Sequence, residues 1–299
     1  MTASGNPLMQ TITTIAELRE ALGPIRLAGK TIGLVPTMGA FHEGHLTLMR
    51  RSRADNDCTA VTLFVNPTQF NDPEDYDKYP RDTDRDASLA AAVGVDFLFV
   101  PPPSEIYSKD FDTVVVVRGL SDRLEGKSRP GHFQGVATVV TKLLNIVGAD
   151  RAYFGEKDWQ QLQVILRLTA DLDIPTTIVP VPIVREPDGL AMSSRNVRLT
   201  REQRRAALVL SSALSGAQSL ADTGVTAVDR ISSWLRRTIE AEALAKVDYA
   251  LIVDPETLQE IETIDGSAIA LVAATFGKVR LIDIRDIRMA VSDRGDSPN

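Results

Sequence analysis

The sequence predicts an α/β chain in two parts: a parallel-sheet domain over residues 1–184 and a smaller α+β domain over 185–299. Three observations carry that reading. The 299 residues amount to roughly two domains at about 150 residues each. In the first part, short runs apolar on both faces alternate with helix-like stretches at about 30-residue spacing, the pattern of parallel βαβ units buried on both sides. After Arg185 the pattern changes to two helices followed by three alternating segments.

The elements follow in order. Thr14 and Glu17 form a Thr-x-x-Glu capping box, opening a helix that Gly23-Pro24 is expected to stop. Thr31 to Val35 reads as a buried strand ending in Pro36-Thr37-Met38-Gly39, with a helix from about Glu43 to Ala54. Thr59 to Val65 is a second strand, closed by Asn66-Pro67. A helix over Thr83 to Val93 leads to a strand at Asp96 to Val100 and a triple proline. Val136 to Val147 has helical periodicity, Arg151 to Phe154 is a short strand, Leu162 to Asp171 a helix and Thr176 to Val184 a strand. Beyond the boundary, a loop carrying Asp188-Gly189 and Ser193-Ser194 precedes helices near 201–221 and 226–243. Segments near 247–253, 268–276 and 279–285 alternate like a small antiparallel sheet. The tail from Ser292 is expected to fray.

Composition removes several functions. The formal charge is −7, whereas a general nucleic-acid binder carries a basic stripe, and the one dense early cluster, Arg50, Arg51 and Arg53, reads as a solvated helix face. Cys58 is the only cysteine, so an internal disulfide and a thiolate metal site are both excluded. The first thirty residues hold no apolar run after a basic start, and Leu89 to Val100 is too short and is broken by Asp96, so neither a signal peptide nor a membrane span is expected. A cytoplasmic protein is the expectation.

Only three histidines are present, and two, His42 and His45, lie just after the first strand in Met38-Gly39-Ala40-Phe41-His42-Glu43-Gly44-His45. In an open parallel sheet ligands bind beyond the carboxyl ends of the strands, where a helix N-terminus favours anions. Histidines three apart share a helix face and can serve phosphate oxygens as charge builds. Gly44 costs about 1 kcal/mol against alanine, a sacrifice that close approach of a flat ligand would justify. Zinc bound by all three histidines is the competing reading, weakened by spacing unlike His-Glu-x-x-His.

The string from Pro36 to Leu46 resembles that of the pantoate–β-alanine ligase (pantothenate synthetase) family, within the nucleotidylyltransferase superfamily whose His-x-Gly-His signature is shared with class I aminoacyl-tRNA synthetases. Four further blocks agree in order: Phe64 to Phe70, Tyr79-Pro80-Arg81, Gly155 to Gln161, and Met192-Ser193-Ser194-Arg195-Asn196. The likeness spans residues 30 to 200. Departures are Phe41 where the family usually has Leu, Trp159 where Tyr is common, and Asp82 in place of Thr; the acidic Asp84 and Asp86 beside it are the open positions for magnesium.

The resemblance implies a Rossmann-like domain that binds ATP and pantoate, followed by a C-terminal lid domain. It implies activation of pantoate by ATP to a pantoyl adenylate, with release of pyrophosphate, and then attack by β-alanine to give pantothenate and AMP. Met38 to His45, Gly155, Glu156, Lys157, Asp158, Val184, Met192, Ser193, Ser194 and Arg195 are implied to contact ATP. His45 is the implied proton donor, with His42 and Lys157 as its catalytic companions. Asn66, Gln69 and Gln161 are implied to hold pantoate. Mg2+ dependence and a homodimer are also implied, with no particular metal ligand. On local pattern alone, Asn66-Pro67 is a turn, Ser193-Ser194 a turn or cap, and Asp158 with Gln161 a capping box. A nucleotidyltransferase that keeps its nucleotidylated product, and a non-catalytic nucleotide sensor, are the alternatives.

Overall fold

The structure is a computed structural model that describes residues 9–289; the tail from Ser292 lies outside the described residues. The chain forms two compact units, one reaching to Val184 and including Met192–Ser194, the other made of Arg185–Ala191 and the residues from Arg195 onward.

The first unit is built on a six-stranded sheet. In chain order its elements are β1 (Gln10–Ile12), α1 (Ile15–Leu27), β2 (Ile32–Thr37), α2 (Glu43–Asp55), β3 (Cys58–Leu63), α3 (Pro73–Asp77), α4 (Thr83–Ala92), β4 (Phe97–Phe99), α5 (Pro103–Ile106), α6 (Leu124–Ser128), α7 (His132–Val147), β5 (Arg151–Gly155), α8 (Trp159–Asp171) and β6 (Thr177–Val181). The strands lie in the order β1-β4-β3-β2-β5-β6, and every recorded pairing is parallel. Successive strand residues face opposite sides, so Leu34 packs with Leu18 and Leu22 of α1 and with α7 and α8. Val35 packs on the other face with Met49 of α2 and Ala90 of α4. Burial on both faces is why the strands read as continuous apolar runs.

Three boundaries depart from the sequence reading, each through tertiary contact. Helix α1 continues through Pro24 to Leu27, because Leu18 and Leu22 are fully buried and the Arg26 guanidinium bonds the Val147 carbonyl; Gly29, at φ 67°, makes the break instead. Helix α7 begins at His132, four residues before the apolar periodicity. Helix α8 begins at Trp159, which puts Gln161 in its first turn. The three-residue β1 is too short to carry a pattern. The early arginines form no basic patch: Arg50 pairs with Glu43, Arg51 with Asp55 and Arg53 with Asp96.

The second unit holds α9 (Arg201–Asp222), α10 (Val228–Glu240), β7 (Ala245–Val253), β8 (Ser267–Phe276) and β9 (Val279–Arg288), the strands forming an antiparallel sheet in the order β7-β8-β9. Leu210, Leu214, Ile231 and Leu235 cover Ile252, Val272 and Phe276 of that sheet. Its opening segment is pinned at Arg185, whose guanidinium donates to both oxygens of the buried Asp283, at 2.7 and 2.9 Å. Among the described residues no helix is long and apolar enough to cross a membrane.

Candidate active site

Strand order reverses between β2 and β5, since the chain continues from β2 through β3 and β4 on one side and from β5 to β6 on the other. In such sheets the crevice beyond the carboxyl ends at the reversal receives ligands. Three chain segments leave from that end: those after β2, β3 and β5.

After β2 the backbone turns sharply, with Gly39 at φ 87° and Ala40 at φ 53°. A non-glycine residue there costs roughly 1–2 kcal/mol and needs support. Asp86 of α4 supplies it: the carboxylate, 1% exposed, accepts the Ala40 N–H at 2.6 Å and the Phe41 N–H at 2.8 Å. Asp86 is therefore committed to the turn and is not an open magnesium position.

His42 caps α2. Its Nδ1 accepts the Gly44 N–H at 3.1 Å, and its own N–H donates to His45 Nδ1 at 3.3 Å. With each Nδ1 accepting, the neutral rings carry their protons on Nε2, a tautomer assigned from these partners. The ring centroids lie 4.1 Å apart. A Cβ on Gly44 would lie 2.9 Å from the His42 ring, so the glycine makes room for the capping imidazole. Desolvation, then His42 and Lys157, lower the His45 pKa to about 3 against the opposing pull of Asp158. The lowered pKa favours a neutral His45 ring that offers Nε2–H as a hydrogen-bond donor.

After β3, Asn66 caps a 310 turn over Pro67–Gln69. Its side chain, 1% exposed, is fully engaged: Nδ2 donates to Gln69 Oε1 and to the Gly135 carbonyl, both at 3.1 Å, and Oδ1 accepts from the Tyr107 hydroxyl at 2.8 Å and from the Thr68 hydroxyl at 3.0 Å. Both amide hydrogens of Asn66 are engaged, one of them on the Gln69 side chain, which Asn66 thereby orients. Gln69 Nε2 donates to Met38 Sδ at 3.1 Å, which joins this segment to the one after β2.

After β5 come Gly155 and a 310 turn over Glu156–Asp158. Lys157 Nζ lies 3.1 Å from Asp158 Oδ2. Asp158 makes no side-chain cap to α8, so the capping box expected with Gln161 does not form. Of the adjacent glutamines, Gln160 is the structural one: it accepts from the Glu125 N–H and donates to the Leu120 and Arg123 carbonyls at 2.7 and 2.8 Å. Further on, the Met192 N–H bonds the Val184 carbonyl at 3.0 Å; Met192, Ser193 and Ser194 group with the first unit and Arg195 with the second. The zinc reading fails, since His132 is committed to protein partners. Among the described residues no group of three or more His, Cys, Asp or Glu could hold a metal.

The family model described as pantoate-beta-alanine ligase matches residues 10–285. The chain belongs to that family. A pantothenate synthetase of Brucella anthropi is 51% identical over 280 residues, covering 93% of this chain and 97% of that one. The crystal structure of pantothenate synthetase from Thermus thermophilus superimposes with a TM-score of 0.88 at 46% identity, covering 93% of this chain and 99% of that one. A pantoate-beta-alanine ligase from Francisella tularensis, solved complexed with beta-gamma ATP and beta-alanine, gives 0.76 at 35% identity, covering 93% and 97%. The three strand-end segments are linked: Gln69 bonds Met38, and Lys157 and Asp158 act electrostatically on His45. Residue-type reasoning missed Asp86 and His132 as supports of the segments after β2 and β3. Asp86 sits 46 residues from the backbone it holds, and no local spacing reports such a contact.

Proposed function

We propose that ATP lies along the β2 and β5 segments and pantoate beside Asn66, Gln69 and Gln161, and that the chain joins pantoate to β-alanine. The pantoate carboxylate attacks the α-phosphate and displaces pyrophosphate, giving pantoyl adenylate. The β-alanine amine then attacks the acyl carbon and expels AMP, leaving pantothenate. The linkage of the strand-end segments supports the reading: His42 and His45 cap α2 together, Lys157 acts electrostatically on His45, and the Gln69 amide bonds Met38 on the segment after β2.

Roles follow from chemistry. The charge that builds on the α-phosphate and pyrophosphate needs preset donors and cations, which His42, His45 and Lys157 supply. The backbone from Met38 to Gly44, with Gly155, Glu156, Asp158 and Val184, lines the nucleotide. Met192, Ser193, Ser194 and Arg195 grip the phosphates, with residues 185–299 as the lid domain. Gln69 and Gln161 present neutral amides, which serve pantoate's carboxylate and hydroxyls without tying the nucleophile into an ion pair. Mg2+ usually enters with the nucleotide, held by phosphate oxygens, water and at most one or two carboxylates, so it needs no protein cage. A cytoplasmic homodimer completes the proposal.

The test follows pyrophosphate and AMP separately with ATP, pantoate and Mg2+, with and without β-alanine. Pyrophosphate equivalent to enzyme without β-alanine, with AMP released only on its addition, is the expected result. Continuous ADP would sink the adenylate route, and a released pantoyl nucleotide would favour the nucleotidyltransferase alternative.

A further inference from the structure

His132 takes no part in the reaction as proposed, yet it is nearly buried at the start of α7, 63 residues from the turn it touches. Its Nδ1 lies 2.9 Å from the Gln69 carbonyl oxygen, and its Nε2 lies 3.2 Å from Arg129 Nη1. A carbonyl only accepts and a guanidinium only donates, so one tautomer satisfies both: Nδ1–H donating to Gln69 and Nε2 accepting from Arg129. Arg129 Nη2 also donates to the Gln69 carbonyl, at 3.4 Å. From the same helix turn, Gly135 meets the Gln69 segment backbone to backbone. A Cβ there would lie 2.5 Å from the Thr68 carbonyl oxygen and 2.7 Å from the Gln69 nitrogen, and the Gly135 carbonyl accepts from Asn66, the residue that orients the Gln69 amide.

We infer that His132 and Arg129, with the first turn of α7, form a positioning clamp that sets the Gln69 amide for pantoate, with His132 acting as a neutral hydrogen-bond donor. The inference rests on Gln69 contacting pantoate. The charged groups around the imidazole agree with a neutral ring: desolvation and Arg129 lower its pKa to about 4, while the Gln69 carbonyl, Glu125 and Asp158 oppose them only in part.

The experiment measures steady-state constants for pantoate and ATP in His132→Asn, His132→Leu, Gln69→Ala and the double variant His132→Leu/Gln69→Ala. Asparagine places an amide N–H where Nδ1–H was; leucine has no donor. We expect His132→Leu to raise the pantoate KM about tenfold, as for a displaced substrate amide, with the ATP KM little changed. His132→Asn should recover most of the loss, and the double variant should be no worse than Gln69→Ala. The ratio of pantoate KM between His132→Asn and wild type should stay constant from pH 6 to 8. Where leucine does not fold, His132→Gln, whose amide reaches the Nε2 position instead, should behave as leucine does. An impaired Gln69→Ala beside an unaffected His132→Leu would overturn the clamp alone. An unaffected Gln69→Ala would overturn the pantoate assignment and the clamp with it. Additive losses in the double variant, or a ratio that climbs below pH 6.5, would make His132 an independent or charged contact.

Discussion

At the level of single residues, His42 and His45 each give one ring nitrogen to the helix start and keep the proton on the other. Capping therefore leaves each ring one N–H, the group the proposed phosphate chemistry uses. Replacing His45 with alanine should slow adenylate formation by about 10²–10⁴-fold, the usual cost of a lost donor to developing charge. Attack of β-alanine on preformed adenylate should suffer far less, since no pyrophosphate leaves in that step; rapid-quench measurement of the two half-reactions checks this, and equal losses would make His45 a general support. The glutamine pair separates in the same way. Gln160→Ala removes three partly buried hydrogen bonds to backbone and should cost about 1–3 kcal/mol in denaturant unfolding, with pantoate KM nearly unchanged. Gln161→Ala should do the reverse, lowering kcat/KM for pantoate about tenfold with a melting shift of only a few degrees. A lowered melting temperature with intact pantoate kinetics would return Gln161 to a structural role.

Between elements, the crevice is shaped by two contacts distant in sequence. One is Asp86 of α4 under the turn after β2. Loss of its carboxylate leaves the Ala40 and Phe41 N–H groups unpaired and the left-handed Ala40 unsupported. Asp86→Ala should therefore lower stability by about 2–5 kcal/mol, two unsatisfied donors' worth, and should depress the pyrophosphate-forming half-reaction. Circular dichroism melting with a pyrophosphate-release assay measures both, and an unaltered melt would show that the turn holds itself. The other contact is the approach of α7 to the Gln69 turn at Gly135. Gly135→Ala forces backbone apart and should cost about 1–3 kcal/mol, an overpacking penalty readable in urea unfolding.

For the whole molecule, the two lowered histidines couple stability to acidity. Their folded pKa values, about 3 for His45 and about 4 for His132, lie below the ordinary 6.5. Between those values and 6.5 the unfolded chain binds more protons than the folded one, so stability rises with pH across that window. Their contribution is complete above pH 6.5 and is lost progressively below it. Thermal melting from pH 7.5 to 4.5 should show the decline, and His132→Asn should flatten it; an identical slope would place the acid sensitivity elsewhere.

Local pattern is enough to read the parallel strands, because strands buried on both faces must be apolar throughout, as Ile32 to Val35 and Cys58 to Leu63 are. Motif residues such as His42 and His45, and separately Lys157, are legible because each lies in a compact block on a segment leaving a strand end. The run of α1 past Pro24, the start of α7 at His132 and the division of labour between Gln160 and Gln161 are not legible, since packing against distant segments outweighs local propensity there. By itself the sequence determined the strand-and-helix alternation and the family. Tertiary structure alone decided the partners of Asp86, Asn66 and His132, because a hydrogen bond between residues 46 to 69 positions apart leaves no trace in local spacing.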